Sequence, residues 1–258
     1  MNMIEKYKVV AKRYEDMLME LEGALGVMHL GGIARNRADE HSDIDIAVFS
    51  KTSLDIKLGE QLSAEGYDVE IFNIVMDKGY EDWDPIKREA YAEGFIARDT
   101  DGVVKDFMSK ALHYDDEFRQ KYMAELIFNI AWHGWIYTPF RNKEIKGYNW
   151  ILPNNLWHQR GEPDNDYYLT SWCVNQFIEL LFAVNRKWTP DFKWRFIRSK
   201  KLNILPSNYE EKISYLLFGD WNEENFMKKS AVFQEMIDEI IEKIVDDMPE
   251  DWYALLEH

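Results

Sequence analysis

The chain has 258 residues, enough for one large domain or two modest ones, and its 46% hydrophobic and 15% aromatic content marks a folded protein with a sizeable core. Its formal charge of −16 opposes the phosphate backbone of nucleic acid, whose binding rests on Lys and Arg, so a polymerase role and a nucleic-acid partner are disfavoured. Cys173 is the single cysteine, which excludes an intramolecular disulfide and suits a reducing cytoplasm. The longest apolar runs, such as 177–184, are too short to span a bilayer, and the charged, amphipathic N-terminus does not read as a signal peptide.

Residues 2–23 carry Ile4, Tyr7, Val10, Tyr14, Leu18 and Leu21 at helical spacing. A short strand, Val27–Leu30, runs into Gly31-Gly32, after which residues 33–38 start a short helix. Asp43–Phe49 alternates as a second strand. A helix follows over Ser53–Glu65 and stops near Gly66, and Tyr67–Val75 is the third strand. Asp82–Glu93 reads as a helix ending at Gly94, and residues 95–98 as one more strand closed by the turn 99–102. A first domain is therefore expected over 1–102.

From Val103 the pattern turns helical, with segments at 103–112, 116–137, 166–187, 208–218 and 225–246, so 103–258 is expected to form an all-α second domain. The connector 139–165 is polar and rich in Asn, Gly and Pro, with Tyr148, Trp150 and Trp157 set in it. A loop of that length is either disordered or functional. The expected class is α+β: a small mixed sheet flanked by helices, followed by helices alone.

The chemistry concentrates in 31–46. Side chains alternate along a strand, so Asp43 and Asp45 share one face while Ile44, Ile46 and Val48 turn into a core. Two carboxylates side by side repel and call for a cation, and oxygen ligands suit a hard ion such as magnesium, which favours phosphate substrates. In the third strand, Glu70 sits between Val69 and Ile71 and offers a third acid. Asp68 has the same parity and is the reserve. Singly, each of these features has a bland counterpart: a solvated strand edge, an ordinary turn, an outward-facing glutamate.

Gly-Gly, ten residues, then Asp-Ile-Asp, with an acid on a later strand, resembles the signature of the polymerase-beta-like nucleotidyltransferase superfamily. The helical second half resembles that of the streptomycin and spectinomycin adenylyltransferases. The likeness is good over 25–75 and diffuse elsewhere. It implies transfer of a nucleoside monophosphate from an NTP, with ATP as first choice, to a hydroxyl, assisted by two magnesium ions. By resemblance Asp43 and Asp45 are metal ligands, and Glu70 is either the third ligand or the general base. Gly31 and Gly32 would hold phosphate oxygens by their N–H groups. Gly32 stands where many members have serine, so that hydroxyl contact is absent here, and Ser42 either supports the Asp43 loop or serves as a plain turn hydroxyl.

Arg35 and Arg37, beside the glycines, either reach phosphates or lie exposed. The basic, aromatic stretch 185–196 is unusual in so acidic a chain. Lys193, with Arg186 or Arg195, either serves the triphosphate or belongs to a helix–helix turn. His29 is expected as a strand residue beneath the glycines and His133 as a packed helix residue. Glu179, inside an apolar helix, faces either solvent or a cleft. The acceptor is expected to be a small hydroxylated molecule, an aminoglycoside in the sharpest version. The alternatives are a protein partner, as for antitoxin or signalling nucleotidyltransferases, and a nucleotide-binding regulatory module without turnover.

Overall fold

The computed structural model describes residues 3–56, 66–133, 143–145, 148–150, 160–221 and 223–249. The chain is α+β and divides into two compact units, Met1–His113 and Tyr114–His258.

The first unit is built on a four-stranded sheet, β1 (Ala24–His29), β2 (Ile44–Ser50), β3 (Val69–Val75) and β4 (Phe95–Asp99), in the order β3-β2-β1-β4. β1 runs antiparallel to β2 and β4, and β2 runs parallel to β3. Strand parity sorts the side chains into two cores. On one face Val27, Ile44, Ile46 and Val48 meet Tyr7, Val10, Tyr14 and Leu18 of α1 (Met3–Met19). On the other, Met28, Ala47, Phe49 and Ile74 meet Tyr91 of α3 (Pro85–Ala92) and Val104 and Phe107 of α4 (Val103–Ala111). Between β1 and β2 lies a single helical turn, α2 (Gly31–Ala34).

Local chemistry starts and ties these helices. Asp84 caps α3 by accepting from Lys87 N at 2.7 Å, with Pro85 in the first turn. Asp99 accepts from Val104 N at 2.9 Å and Lys105 N at 3.0 Å, which fastens the start of α4 to the end of β4. Arg88 links α3 to both neighbours, donating to Trp83 O at 2.9 Å, to Tyr80 O at 3.0 Å and to Ala111 O. The helix over Val103–Ala111, which the sequence places at the head of the helical domain, therefore packs on the sheet, and the first compact unit runs to His113. The helix expected over Ser53–Glu65 falls mostly outside the described residues; 53–56 have no regular structure, and Leu54 N is held by Asn73 Oδ1 at 2.8 Å.

The face of the sheet beneath α1 also buries charge. Glu15 receives Lys12 Nζ at 2.6 Å and Arg98 Nε at 2.5 Å, and stands 3.4 Å from His29 Nε2. Burial pushes the Glu15 carboxyl up, but the bonds from Lys12, His29 and Arg98 outweigh it and hold it below the usual carboxylate range. Burial pushes His29 down, with Glu15 opposing. His29 is thus the expected strand residue beneath the glycines.

In the second unit the described helices are α5 (Asp116–His133), α6 (Pro163–Val184), α7 (Phe192–Ser199), α8 (Tyr209–Phe218) and α9 (Glu223–Ile244), with a hairpin of β5 (Lys143–Ile145) and β6 (Tyr148–Trp150). α6 is central: Val174, Phe177, Ile178 and Leu181 bury against Met123 and Ile127 of α5, Ile213 and Leu216 of α8, and Phe233 and Ile240 of α9. Each such side chain contributes roughly 1.5–3 kcal/mol. The expected connector 139–165 therefore contains a hairpin among its described residues, and α6 begins at Pro163, whose missing N–H costs nothing in a first turn. Trp157 and the last turn of the segment expected over 116–137 lie outside the described residues. No described helix is long and apolar enough to cross a membrane.

Candidate active site

β2 and β3 are parallel and in register, with Ile44 opposite Val69, Asp45 opposite Glu70 and Ile46 opposite Ile71. Registered partners on adjacent strands share a face and lie about 5 Å apart. The apolar neighbours decide which face. Ile44 and Ile46 belong to the core under α1, so Asp45 lies on the opposite side, in line with Ala47 and Phe49. Glu70 follows suit, in line with Ile74. Asp45 is half-buried and Glu70 is exposed. Among the described residues the Glu70 side chain makes no hydrogen bond or ion pair.

The glycine turn closes directly on this pair. Leu30 N donates to Asp45 O at 2.9 Å, bringing the end of β1 beside the start of β2. The chain then turns at Gly31 with φ of 56°, a left-handed conformation that favours glycine. A Cβ on Gly31 would overlap Asp45 Oδ2, so a side chain here would have to push that carboxylate aside. Gly32 is not constrained in this way: its Cβ would stand 3.4 Å from Ala38 Cα and 3.5 Å from Ser42 Oγ, ordinary van der Waals contact.

Ser42 braces the loop that leads into β2. Its hydroxyl accepts from Asp39 N at 2.9 Å and donates to Asp39 Oδ1 at 3.1 Å, while His41 N donates to the same carboxylate oxygen at 2.9 Å. These bonds, the His41 N–H first and the Ser42 hydroxyl next, hold the Asp39 carboxyl below its ordinary range. Both hydrogen bonds of the Ser42 hydroxyl stay within the turn 39–42.

Asp43 stands just before β2, exposed, separated from Asp45 by the fully buried Ile44. Its charge, after burial, Tyr67 and Asp39, helps raise the phenol of Tyr7 in α1. The structure therefore brings Asp45 and Glu70 together and leaves Asp43 at their border. Among the described residues no three His, Cys, Asp or Glu side chains are gathered as a ready metal-holding group. In donor chemistry the three carboxylates fit a hard divalent cation, and the registered pair is the part already assembled. Asp68, the reserve acid, precedes β3 and contributes its carbonyl to Ile44 N at 2.9 Å.

Two residues that the sequence did not single out belong to this neighbourhood. Tyr91, buried in α3 against Phe49 and Trp83, has its hydroxyl pushed well above the ordinary phenol range, first by burial and then by the charge of Asp45. Glu89, buried two residues earlier, stands with Oε2 3.5 Å from Arg35 Nη2. Arg35 is also 3.9 Å from Glu93, so its guanidinium faces α3. Arg37 is exposed, and its backbone N–H closes the turn on Gly32 O at 2.8 Å.

The remaining expected residues lie in the second unit. Lys193 is exposed in the first turn of α7, where its backbone N–H donates to the capping Asp191 at 3.1 Å. Arg195 is buried and committed to Pro190 O at 2.9 Å, Asn175 Oδ1 at 3.3 Å and Glu179. Arg186 pairs with Asp116 at 2.5 Å. Glu179 faces neither solvent nor an open cleft: it accepts from Tyr122 OH at 2.6 Å, from Asn175 at 3.0 Å and from Arg195 within the helical packing. The side chain of His133 lies outside the described residues.

No protein-family model matches the sequence, and no curated protein matches it. Among solved structures, a nucleotidyltransferase-like protein from Exiguobacterium sibiricum 255-15 superposes over 95% of this chain and 77% of its own, at 9% identity and a TM-score of 0.43. At that score and identity, the overlap carries no argument about the reaction.

Proposed function

We propose that the chain is a magnesium-dependent nucleotidyltransferase that moves a nucleoside monophosphate, AMP as first choice, from an NTP to a hydroxyl of a small acceptor. The observation that carries this reading is the register of Asp45 opposite Glu70, with the Gly31 backbone turned against Asp45. Like charges directly opposite in a sheet are destabilising, and a shared cation relieves them.

Asp45 and Glu70, with Asp43 joining from the start of β2, are the residues that would hold magnesium. When bound, the metal supplies charge neutralisation to the triphosphate. The chain's own work is positioning. The backbone N–H groups at Gly31 and Gly32 would hold phosphate oxygens. An acceptor hydroxyl attacks the α-phosphorus, pyrophosphate leaves, and the hydroxyl proton passes to a carboxylate. Glu70, exposed on the edge strand, serves in this reading either as the third metal ligand or as the base that takes this proton. The net charge of −16 suits a cationic acceptor of the aminoglycoside kind.

The test is calorimetric titration of ATP, GTP, CTP and UTP with magnesium into the wild-type chain and the Asp43→Asn/Asp45→Asn variant. Magnesium-dependent binding to the wild type, lost in the variant, is expected. Absence of binding for all four nucleotides would overturn the reading.

A further inference from the structure

Arg35 lies four residues beyond the first glycine, where a cation invites the reading of a phosphate ligand. The geometry assigns it another task, and this inference rests on the reading of the glycine turn as part of a nucleotide site. We propose that Arg35 is a positioning residue: ion-paired with Glu89 of α3 and with Glu93 just past its end, it fixes the glycine turn over Asp45.

The chain of contacts is continuous. Arg35 Nη2 stands 3.5 Å from Glu89 Oε2, and Arg35 Nε stands 3.9 Å from Glu93 Oε2. The Glu89 side chain is 6% exposed and that of Arg35 19%, so solvent screens the pair only weakly. Arg35 is also the residue that closes α2: its backbone N–H donates to Gly31 O at 3.3 Å, and Ala34 N donates to Leu30 O at 3.2 Å. The two carbonyls thus held belong to the residues that flank the close approach, since Leu30 N bonds Asp45 O and Gly31 lies against Asp45 Oδ2. α3 is itself anchored to the sheet through Tyr91 on Phe49, and Arg88 ties it to Tyr80 and Trp83 of the preceding loop and to Ala111 at the end of α4. A one-turn helix of four residues has too few hydrogen bonds to hold its own position. The ion pairs supply what the short turn lacks.

The two roles predict opposite outcomes when the acids are neutralised. A phosphate ligand released from Glu89 and Glu93 would be freer to bind an anion. A positioning residue released from them would let the turn drift. The experiment measures ATP binding with magnesium by calorimetry, together with thermal melting, for four chains. These are the wild type, Arg35→Met, Glu89→Gln/Glu93→Gln, and the charge swap Arg35→Glu/Glu89→Arg.

Positioning predicts affinity about tenfold or more weaker in Arg35→Met and in Glu89→Gln/Glu93→Gln, although the latter keeps its arginine. It further predicts partial recovery in the charge swap, which restores the ion pair between positions 35 and 89, though not the one with Glu93, while placing a carboxylate where a phosphate contact would have been. Unchanged or tighter binding in Glu89→Gln/Glu93→Gln would overturn the inference. The isosteric glutamines keep that arm informative should the swap fail to fold. Failure of the wild type to bind any magnesium nucleotide is a separate outcome, and it removes the nucleotide reading itself.

Discussion

Glu179 and Glu70 are both carboxylates set among apolar neighbours, and the molecule treats them in opposite ways. Glu179, in α6, is buried and answered by Tyr122, Asn175 and Arg195. Glu70, in β3, is exposed and registered opposite another acid, and its side chain makes no hydrogen bond or ion pair among the described residues. A buried acid must be satisfied or it costs the fold several kcal/mol. An acid left exposed beside a second acid gives the fold nothing and weakens the strand pair slightly. Satisfaction marks a structural carboxylate, and its absence beside a registered partner marks a candidate for chemistry.

The sharpest break of this contrast is Glu179→Ala. It strands the buried Arg195 guanidinium, and a loss of about 3–5 kcal/mol in unfolding free energy is expected by denaturant melting. A loss below about 1 kcal/mol would return Glu179 to the class of Glu70. Gly31→Ala comes next. The new methyl must occupy the place of Asp45 Oδ2 at a positive φ, so roughly 1–3 kcal/mol of strain is expected, together with loss of magnesium-dependent nucleotide binding. Wild-type affinity in a folded Gly31→Ala chain would show that the close approach is dispensable.

A third variant sharpens the comparison through pH. Glu239 in α9 is a satisfied surface acid: Ser207 N and Oγ donate to it, each at 2.6 Å, and Lys212 Nζ stands at 3.1 Å. Burial raises its carboxyl, but the Ser207 and Lys212 bonds dominate and bring it down to about 2, against an ordinary 4.5. A depressed folded value means that the stabilisation is fully present above the unfolded value and is lost as pH falls towards the folded one. The stability difference between wild type and Glu239→Gln should therefore be constant at neutral pH and shrink as pH falls from 4.5 towards 2. A difference that is flat across that window would contradict the shift. The smallest effect is expected for Glu70→Gln, within about 0.5 kcal/mol in stability, with turnover lowered by about 10²-fold or more if Glu70 takes the proton. Normal turnover would move that role to another acid.

Much of the acidic face was legible because a period of two is unambiguous: Ile44, Ile46 and Val48 bury on one side, so Asp45 must lie on the other. Register was not legible. That Asp45 meets Glu70 rather than Asp68 depends on the pairing of two strands separated by residues whose length alone fixes nothing. The end of the first unit was hidden for a similar reason. Val104, Phe107 and Met108 give α4 an apolar stripe, but a stripe does not say which core it will enter. The surroundings of Arg35 and Glu179 were not legible because the groups beside them are remote in sequence: Glu89 lies 54 residues beyond Arg35, and Tyr122 lies 57 residues before Glu179. Local pattern cannot tell a free guanidinium from a clamped one.

The lone cysteine gives the helical unit a clock of its own. Cys173 is fully buried in α6 among the residues that unite the second unit, and burial pushes its thiol far above the ordinary range. It is the single thiol in the chain, so the first unit contributes no signal to a thiol-reactive probe. The rate at which such a probe is taken up reads the opening of the helical core alone, and comparing it with overall melting times one half of the molecule against the whole.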